Sequence, residues 1–221
     1  MTKQLSFTAA YTLAHELDNQ AFDTNGGGCG CQNPRNPHEW ASGTTDQRHN
    51  LTMGYVWRLP SFAKDGAAAR LLANGWALNG LVQLASGNPY DILQSSDGQN
   101  TDNQWERPDR VAGSKLSVAH RSIDNWFNTN AFTLSTLHFG TSTRNPLVSP
   151  ATDVVNLAAM KNFAMPFNEA HQLQVRFEAF NALNTPQWST PDNYLGDGTF
   201  GQITSTRLNN RELQLAIKYL F

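Results

Sequence analysis

Four groups of side chains in this 221-residue chain carry enough chemistry to invite a functional reading. The stretch GGGCGCQNPRNPHEW gathers Cys29, Cys31, His38 and Glu39, all types that bind zinc. Zinc sites space cysteines by two to four residues and complete four ligands. A C-x-C pair misses that pattern. A strained Cys29–Cys31 disulfide or two ordinary loop cysteines fits better, and no metal is expected. The stretch DQRHN puts Asp46, Arg48 and His49 together. Catalysis there would need a nucleophile and a pocket, and neither is evident. A rim network that orders a loop is the simpler reading. Arg176 and Glu178 stand two apart in an alternating stretch, so they share a face and meet neighbouring strands or something beyond them. Last, a long segment carries Trp105, Arg107, Arg110, Trp126 and Phe127. Aromatic and Arg side chains dominate binding hot spots, so Trp105, Arg107, Arg110 and Trp126 are candidate ligand contacts. The competing reading is a loop folded over itself around WFNTNAF. Nothing here indicates an enzyme or a cofactor.

The elements that position these groups are strands. Helical periodicity is scarce: GAAARLLANG fits two turns and SIDNWF one. Strict alternation recurs six times. The first strand runs from about Gln4 to Leu13, with Leu5, Phe7, Ala9, Tyr11 and Leu13 on one face. HNLTMGYVWRL gives Leu51, Met53, Tyr55, Trp57 and Leu59. GWALNGLVQLAS gives Trp76, Leu78, Gly80, Val82 and Leu84. VVNLAAMKNF, the weakest, gives Val155, Leu157, Ala159, Lys161 and Phe163. HQLQVRFEAF gives Leu173, Val175, Phe177 and Ala179. The terminal RELQLAIKYLF gives Leu213, Leu215, Ile217, Tyr219 and Phe221.

Net charge is -2 and charged residues make up 15% of the chain, with no clustered Lys/Arg run. A nucleic-acid partner is therefore not expected. Mean hydropathy is -0.48, and no run approaches the ~18 apolar residues of a membrane helix. A transmembrane β-strand needs only about 10 residues with every second one apolar. On the six apolar faces the one charge is Lys161, which is expected to reach the interface from near a strand end. Arg58, Arg176, Glu178, Glu212 and Lys218 all fall on the opposite face, which a barrel would turn toward its lumen. The fold class indicated is all-β: an antiparallel, up-and-down transmembrane β-barrel segment. The alternatives are a soluble β-sandwich for binding or adhesion and a passive porin or adhesin barrel.

The connections alternate. Those at about 14–48, 87–152 and 182–210 are long, and those at about 60–74 and at PFNEAH are shorter. Outer-membrane barrels pair long extracellular loops with short periplasmic turns. That parity brings Trp57, Trp76, Phe163, Tyr219 and Phe221 to one level, the periplasmic interface, as an aromatic girdle. Six strands do not close, since the smallest such barrels have about eight, and bare edges are not tolerated in lipid. The chain is thus expected to be part of a larger barrel. The lack of a signal peptide at its start agrees.

The stretches DQRHNLTMGYVWRLP, NGWALNGLVQLASGNPY, RPDRVAG, WFNTNAF, FGTSTRNPLVSP, LQVRFEAFNALNTPQW and FGQITSTRLNNRELQLAIKYLF occur in family order over nearly the whole chain. They resemble the C-terminal portion of TonB-dependent outer-membrane receptors, in the Oar-like branch with a carboxypeptidase-regulatory-like domain. Asn156 departs from the family's aspartate. The resemblance implies a barrel of about 22 strands, an N-terminal plug and TonB-energised uptake of an unknown small ligand. Residues 1–221 would then be the C-terminal barrel part, without plug, TonB box or signal peptide. Implied partners are outer-membrane lipid, the remaining barrel and plug, TonB through the missing N-terminal part, and the barrel assembly machinery. That machinery would read Tyr219 and Phe221 as its signal.

Overall fold

The computed structural model describes residues 4–19, 32–33, 35, 39–101, 105–165 and 168–221. Six long strands form one antiparallel sheet in chain order. They are β1 (Leu5–Leu13), β2 (His49–Arg58), β3 (Trp76–Ala85), β4 (Thr152–Met165), β5 (Asn168–Phe180) and β6 (Glu212–Leu220). One seven-residue helix, α1 (Ala67–Ala73), precedes β3.

Register settles which residues share a face. One row crosses all six strands as Phe7, Tyr55, Gly80, Leu157, Ala179 and Leu213. The next row is Ser6, Val56, Asn79, Ala158, Glu178 and Gln214. Side chains alternate along a strand, so every apolar stripe lands on one side and the polar stripes on the other. Gly80 in the apolar row is not a gap. A Cβ there would lie 2.3 Å from the Tyr55 ring, so the ring covers the glycine. Much of the rest of this face is open among the described residues: Phe7 is 74% exposed and Ile217 68%. A soluble sandwich would place a second sheet over it, and none packs there among the described residues.

Both ends of the sheet step in the same direction. At the first end β2 begins at His49, whereas the first residue of β6, Glu212, lies in the row of Phe180, Asn156, Leu81 and Gly54, five residues further along β2. At the other end Trp57 shares its row with Leu78, Ala159, Phe177 and Leu215, and Tyr219 lies four residues past Leu215. Four residues of rise over four interstrand spacings correspond to a strand tilt of about 35°. Transmembrane barrels tilt by roughly that much. The stagger brings aromatic residues at the strand ends back toward one level.

Some expectations need correction. SIDNWF forms no helical turn; Ser122 and Asn125 pair as an isolated bridge. β4 and β5 are longer than their clean alternation indicated, so β5 takes in Asn168–His171 of the expected PFNEAH connection. Because β4 continues to Met165, Lys161 does not stand at a strand end. It is 4% exposed. Its Nζ caps the Asn74 carbonyl and sits 5.4 Å from the Trp76 ring centre and 5.1 Å from that of Phe163. A backbone carbonyl and two π-faces replace the water it was expected to reach.

The packed core is elsewhere. Among the described residues the sheet contributes only Ala77 and Ala85 to the buried apolar set. Tyr90, Ile92, Phe127, Ala131, Phe132 and Leu147 form the core cluster, with Leu116, Trp126, Leu195 and Phe200 against it. All ten lie in two of the long connections.

Candidate functional site

The three long connections, here L1 (14–48), L2 (86–151) and L3 (181–211), leave the same end of the sheet and fold together. L2 and L3 join through apolar packing. Phe127 and Phe132 of L2 meet Phe200 of L3 edge-on, with ring centres 5.2–6.3 Å apart. Such pairs add about 0.5–1.5 kcal/mol each beyond burial. A short parallel ladder sets Leu93–Gln94 beside Tyr194–Leu195. The backbone N–H of Trp126 donates to the Gly201 carbonyl (3.0 Å) and that of Ile203 to the Ile123 carbonyl (2.7 Å).

L1 is held differently, by charge. The Arg107 guanidinium donates to both Glu39 oxygens, at 2.9 and 2.6 Å, and through Nε to the Ser142 carbonyl at 3.0 Å. Arg107 and Glu39 are each 1% exposed. Arg144 donates to the Asp18 carboxylate and to the Glu39 carbonyl. Asp91 stands 3.7 Å from Arg107 and accepts from the Asn145 N–H. Burial pushes the Asp91 carboxyl up to about 6; Arg107 and the Asn145 N–H pull it down, while Glu39 adds to the rise. Buried amides extend the network. Gln99 donates to the Arg107 carbonyl at 2.8 Å, and Gln94 donates to Glu106 at 2.8 Å.

At the sheet rim below L1, Asp46 accepts from the Glu16 N–H and pairs with His15, both at 3.0 Å, with Arg48 at 3.5 Å. Burial acts to raise this carboxyl, but the Glu16 N–H, His15 and Arg48 outweigh it and hold it below its usual range. His49 meets the Tyr11 hydroxyl at 2.9 Å. Asp46, Arg48 and His49 are thus each tied into the hydrogen bonding of the rim, where the Ser86 hydroxyl also accepts from the His49 N–H at 3.0 Å.

The polar face carries a trough of about 450 Å³ lined by Val56, Asn79, Leu81, Asn156, Arg176 and Phe180 among others. Arg176 pairs with Glu178 at 2.7 Å. Its Nε and the Asn79 Oδ1 are buried there without hydrogen-bond partners. Arg58, Glu212 and Lys218 stand exposed on the same face.

The candidate contacts separate in the structure. Arg107 is enclosed and fully engaged by Glu39 and Ser142, so in this conformation it is a tie inside the loops, not a contact surface. Arg110 is half-buried, donates to the Ala131 and Ser114 carbonyls and lies 5.1 Å above the Phe132 ring. Trp105 is half-buried. Trp126 packs on the core with one face under Arg121, at 4.7 Å. WFNTNAF does supply core residues, as the self-folded reading has it, but L3 completes that core. Glu39 is paired with Arg107; Cys29, Cys31 and His38 lie outside the described residues. Asp91 and Arg144 were missed. Arg144 lies in FGTSTRNPLVSP, one of the stretches carrying the family resemblance, and that was its available signal. Leu137 was missed too. It is 80% exposed with a positive φ of 58°, a conformation costly for a bulky side chain and found where neighbours impose it.

Of the girdle residues, Trp57, Trp76 and Tyr219 are exposed on the apolar face and Phe163 is half-buried. Phe221 stacks on Tyr219, with ring centres 6.1 Å apart, and the Tyr219 hydroxyl meets His171 at 2.7 Å.

A known family described as "Outer membrane beta barrel domain" matches residues 1–214. No curated protein and no solved structure matches the chain.

Proposed function

Since the chain belongs to the outer-membrane β-barrel domain family and is thereby placed in the bacterial outer membrane, we propose that it forms one wall and the extracellular loop module of a receptor for TonB-energised uptake of a scarce small ligand. The apolar face meets lipid, the polar face lines the lumen, and L1, L2 and L3 stand outside the cell. β1 and β6 present bare edges, which lipid does not tolerate, so further strands complete the barrel.

The observation that carries this reading is the trough on the polar face. The Arg176 side chain is 41% exposed to the trough, yet its Nε and the Asn79 Oδ1 lack hydrogen-bond partners among the described residues, and such groups are costly unless something pairs with them. A water-filled passive pore leaves its wall polar groups to water. A wall built to be covered, by a plug or by a ligand, leaves them waiting. In the loops, Leu137 and Arg121 stand exposed and are offered as the side chains that meet a ligand first.

The test is uptake of labelled ferric siderophore, cobalamin and oligosaccharide by cells expressing the full-length protein, with and without a protonophore and with and without TonB. Accumulation of one of them that stops in both deprived states supports the reading. Uptake indifferent to both makes the protein a passive pore and overturns it.

A further inference from the structure

The connection between β2 and β3 carries an apolar surface that the barrel reading leaves unused. No residue of α1 is buried. On helical spacing Ala68, Leu71 and Leu72 share one stripe, with Arg70 opposite. Leu72 is 68% exposed and Phe62, just before the helix, 64%. Seven residues are too few to hold a helix in water unaided, since isolated helices below about 12–15 residues are marginal.

The ties that hold it also show where it lies. Asn74 and Ala63 exchange two hydrogen bonds, at 3.0 and 2.8 Å, closing the segment into a compact loop. The Trp76 indole donates to the Leu72 carbonyl at 2.9 Å, and the Lys161 amine caps the Asn74 carbonyl. Gly75 lets the chain come this close: its φ is +79°, and a Cβ there would lie 2.7 Å from the Asn162 carbonyl oxygen. Trp76 and Lys161 both belong to the apolar face of the sheet. The C-terminal end of α1 is therefore fastened on the lipid side of the wall, at the level of Trp57 and Trp76, and away from the lumen.

We propose that residues 61–74 are an interfacial foot. α1 lies in the headgroup layer of the periplasmic leaflet, with Phe62, Leu71 and Leu72 at the acyl boundary and Lys64 and Arg70 at phospholipid phosphates. Three features point to lipid as the occupant. The stripe is continuous with a face that already meets lipid. Two cations and one carboxylate, Asp65, give the segment a net positive charge suited to anionic headgroups. The stripe is also too narrow for a stable protein interface, which needs about 1,000 Å² or more. The foot does not depend on which ligand, if any, the barrel transports.

The test uses the full-length protein in vesicles of phosphatidylethanolamine and phosphatidylglycerol, with spin labels introduced singly through Leu71→Cys, Leu72→Cys and Arg70→Cys. Leu215→Cys serves as the lipid-face reference and Thr8→Cys as the lumen reference. Collisions with oxygen and with a water-soluble nickel chelate are compared. The labels at 71 and 72 are expected to give oxygen-to-nickel ratios within about twofold of the label at 215 and several-fold above the label at 70. Ratios at 71 and 72 equal to that at 70 would mean that the stripe faces water, and shielding from both reagents would mean that protein covers it; either overturns the foot. The two leucines are read independently, so one poorly inserting variant leaves the other to decide.

Discussion

Phe7 and Ile217 stand open on the sheet, whereas Phe127, in the middle of L2, is 0% exposed. The same residue type thus meets two solvents within one chain. The sheet spends its apolar residues outward and is held by backbone ladders from β1 to β6. The loop module spends them inward, around three phenylalanines, and adds a buried ionic network that would be expensive without partners. The lesson is that each region is stable only in its own medium. The wall needs lipid on one side, and the module needs to be sealed from the water around it.

Substitutions separate the two regions, and the largest effect is expected in the module. Arg107→Ala leaves Glu39 and Asp91 as buried carboxylates without their cation, at a cost of about 3–5 kcal/mol. Limited proteolysis of whole cells is expected to cut L1 and L2 rapidly while the barrel stays inserted. Loss of insertion as well would show that the regions are not separable. Phe127→Ala should cost about 3–5 kcal/mol and release L2 from L3, read by hydrogen exchange at Tyr194–Leu195. Phe177→Ala on the lipid face should leave that exchange unchanged.

The pH response comes next and has a defined sign. The folded Asp91 carboxyl titrates near 6, against 3.8 for its unperturbed value. Its contribution to module stability is therefore complete below about pH 4 and fades as pH rises through 6. The span is about 3 kcal/mol at most. Asp46 works the other way, giving stability that is lost as pH falls below the usual carboxylate range. Asp91→Asn should flatten the exchange rates of L2 between pH 4.5 and 7.5; an unchanged pH profile would exonerate Asp91. In the wall, Leu215→Arg should cost about 2–4 kcal/mol at mid-depth and lower outer-membrane levels. Ala216→Arg, one residue on and facing the lumen, should not. Equal losses would break the assignment of faces. The smallest effect is at the rim, where Tyr11→Phe removes the bond to His49 for about 0.5–1.5 kcal/mol.

The wall was legible in the sequence because its information is local. Period-two alternation named both faces of every strand, and the register agrees row by row. Loop parity needed only lengths. The module was hardly legible because its ties follow no period. Arg107 reads as a solvent-facing hot spot until Glu39, 68 positions away, is brought against it. Lys161 misled for the same reason, since Asn74 and the Trp76 ring come to it from another hairpin. α1 was visible as a pattern, but not the side of the wall on which it sits.

The separations within the module also bear on how the chain must fold. Arg144 reaches Asp18 across 126 residues and Asn193 reaches Asp91 across 102, so neither tie can form until distant parts of the chain are already aligned. Contacts of such long range are slow to nucleate because loop closure must be met first. The hairpins of the sheet supply that alignment by bringing the roots of L1, L2 and L3 side by side. The wall then acts as a jig for the module. Emerging loops should remain open to proteases until the strands beneath them have paired, and close together afterwards in one cooperative step.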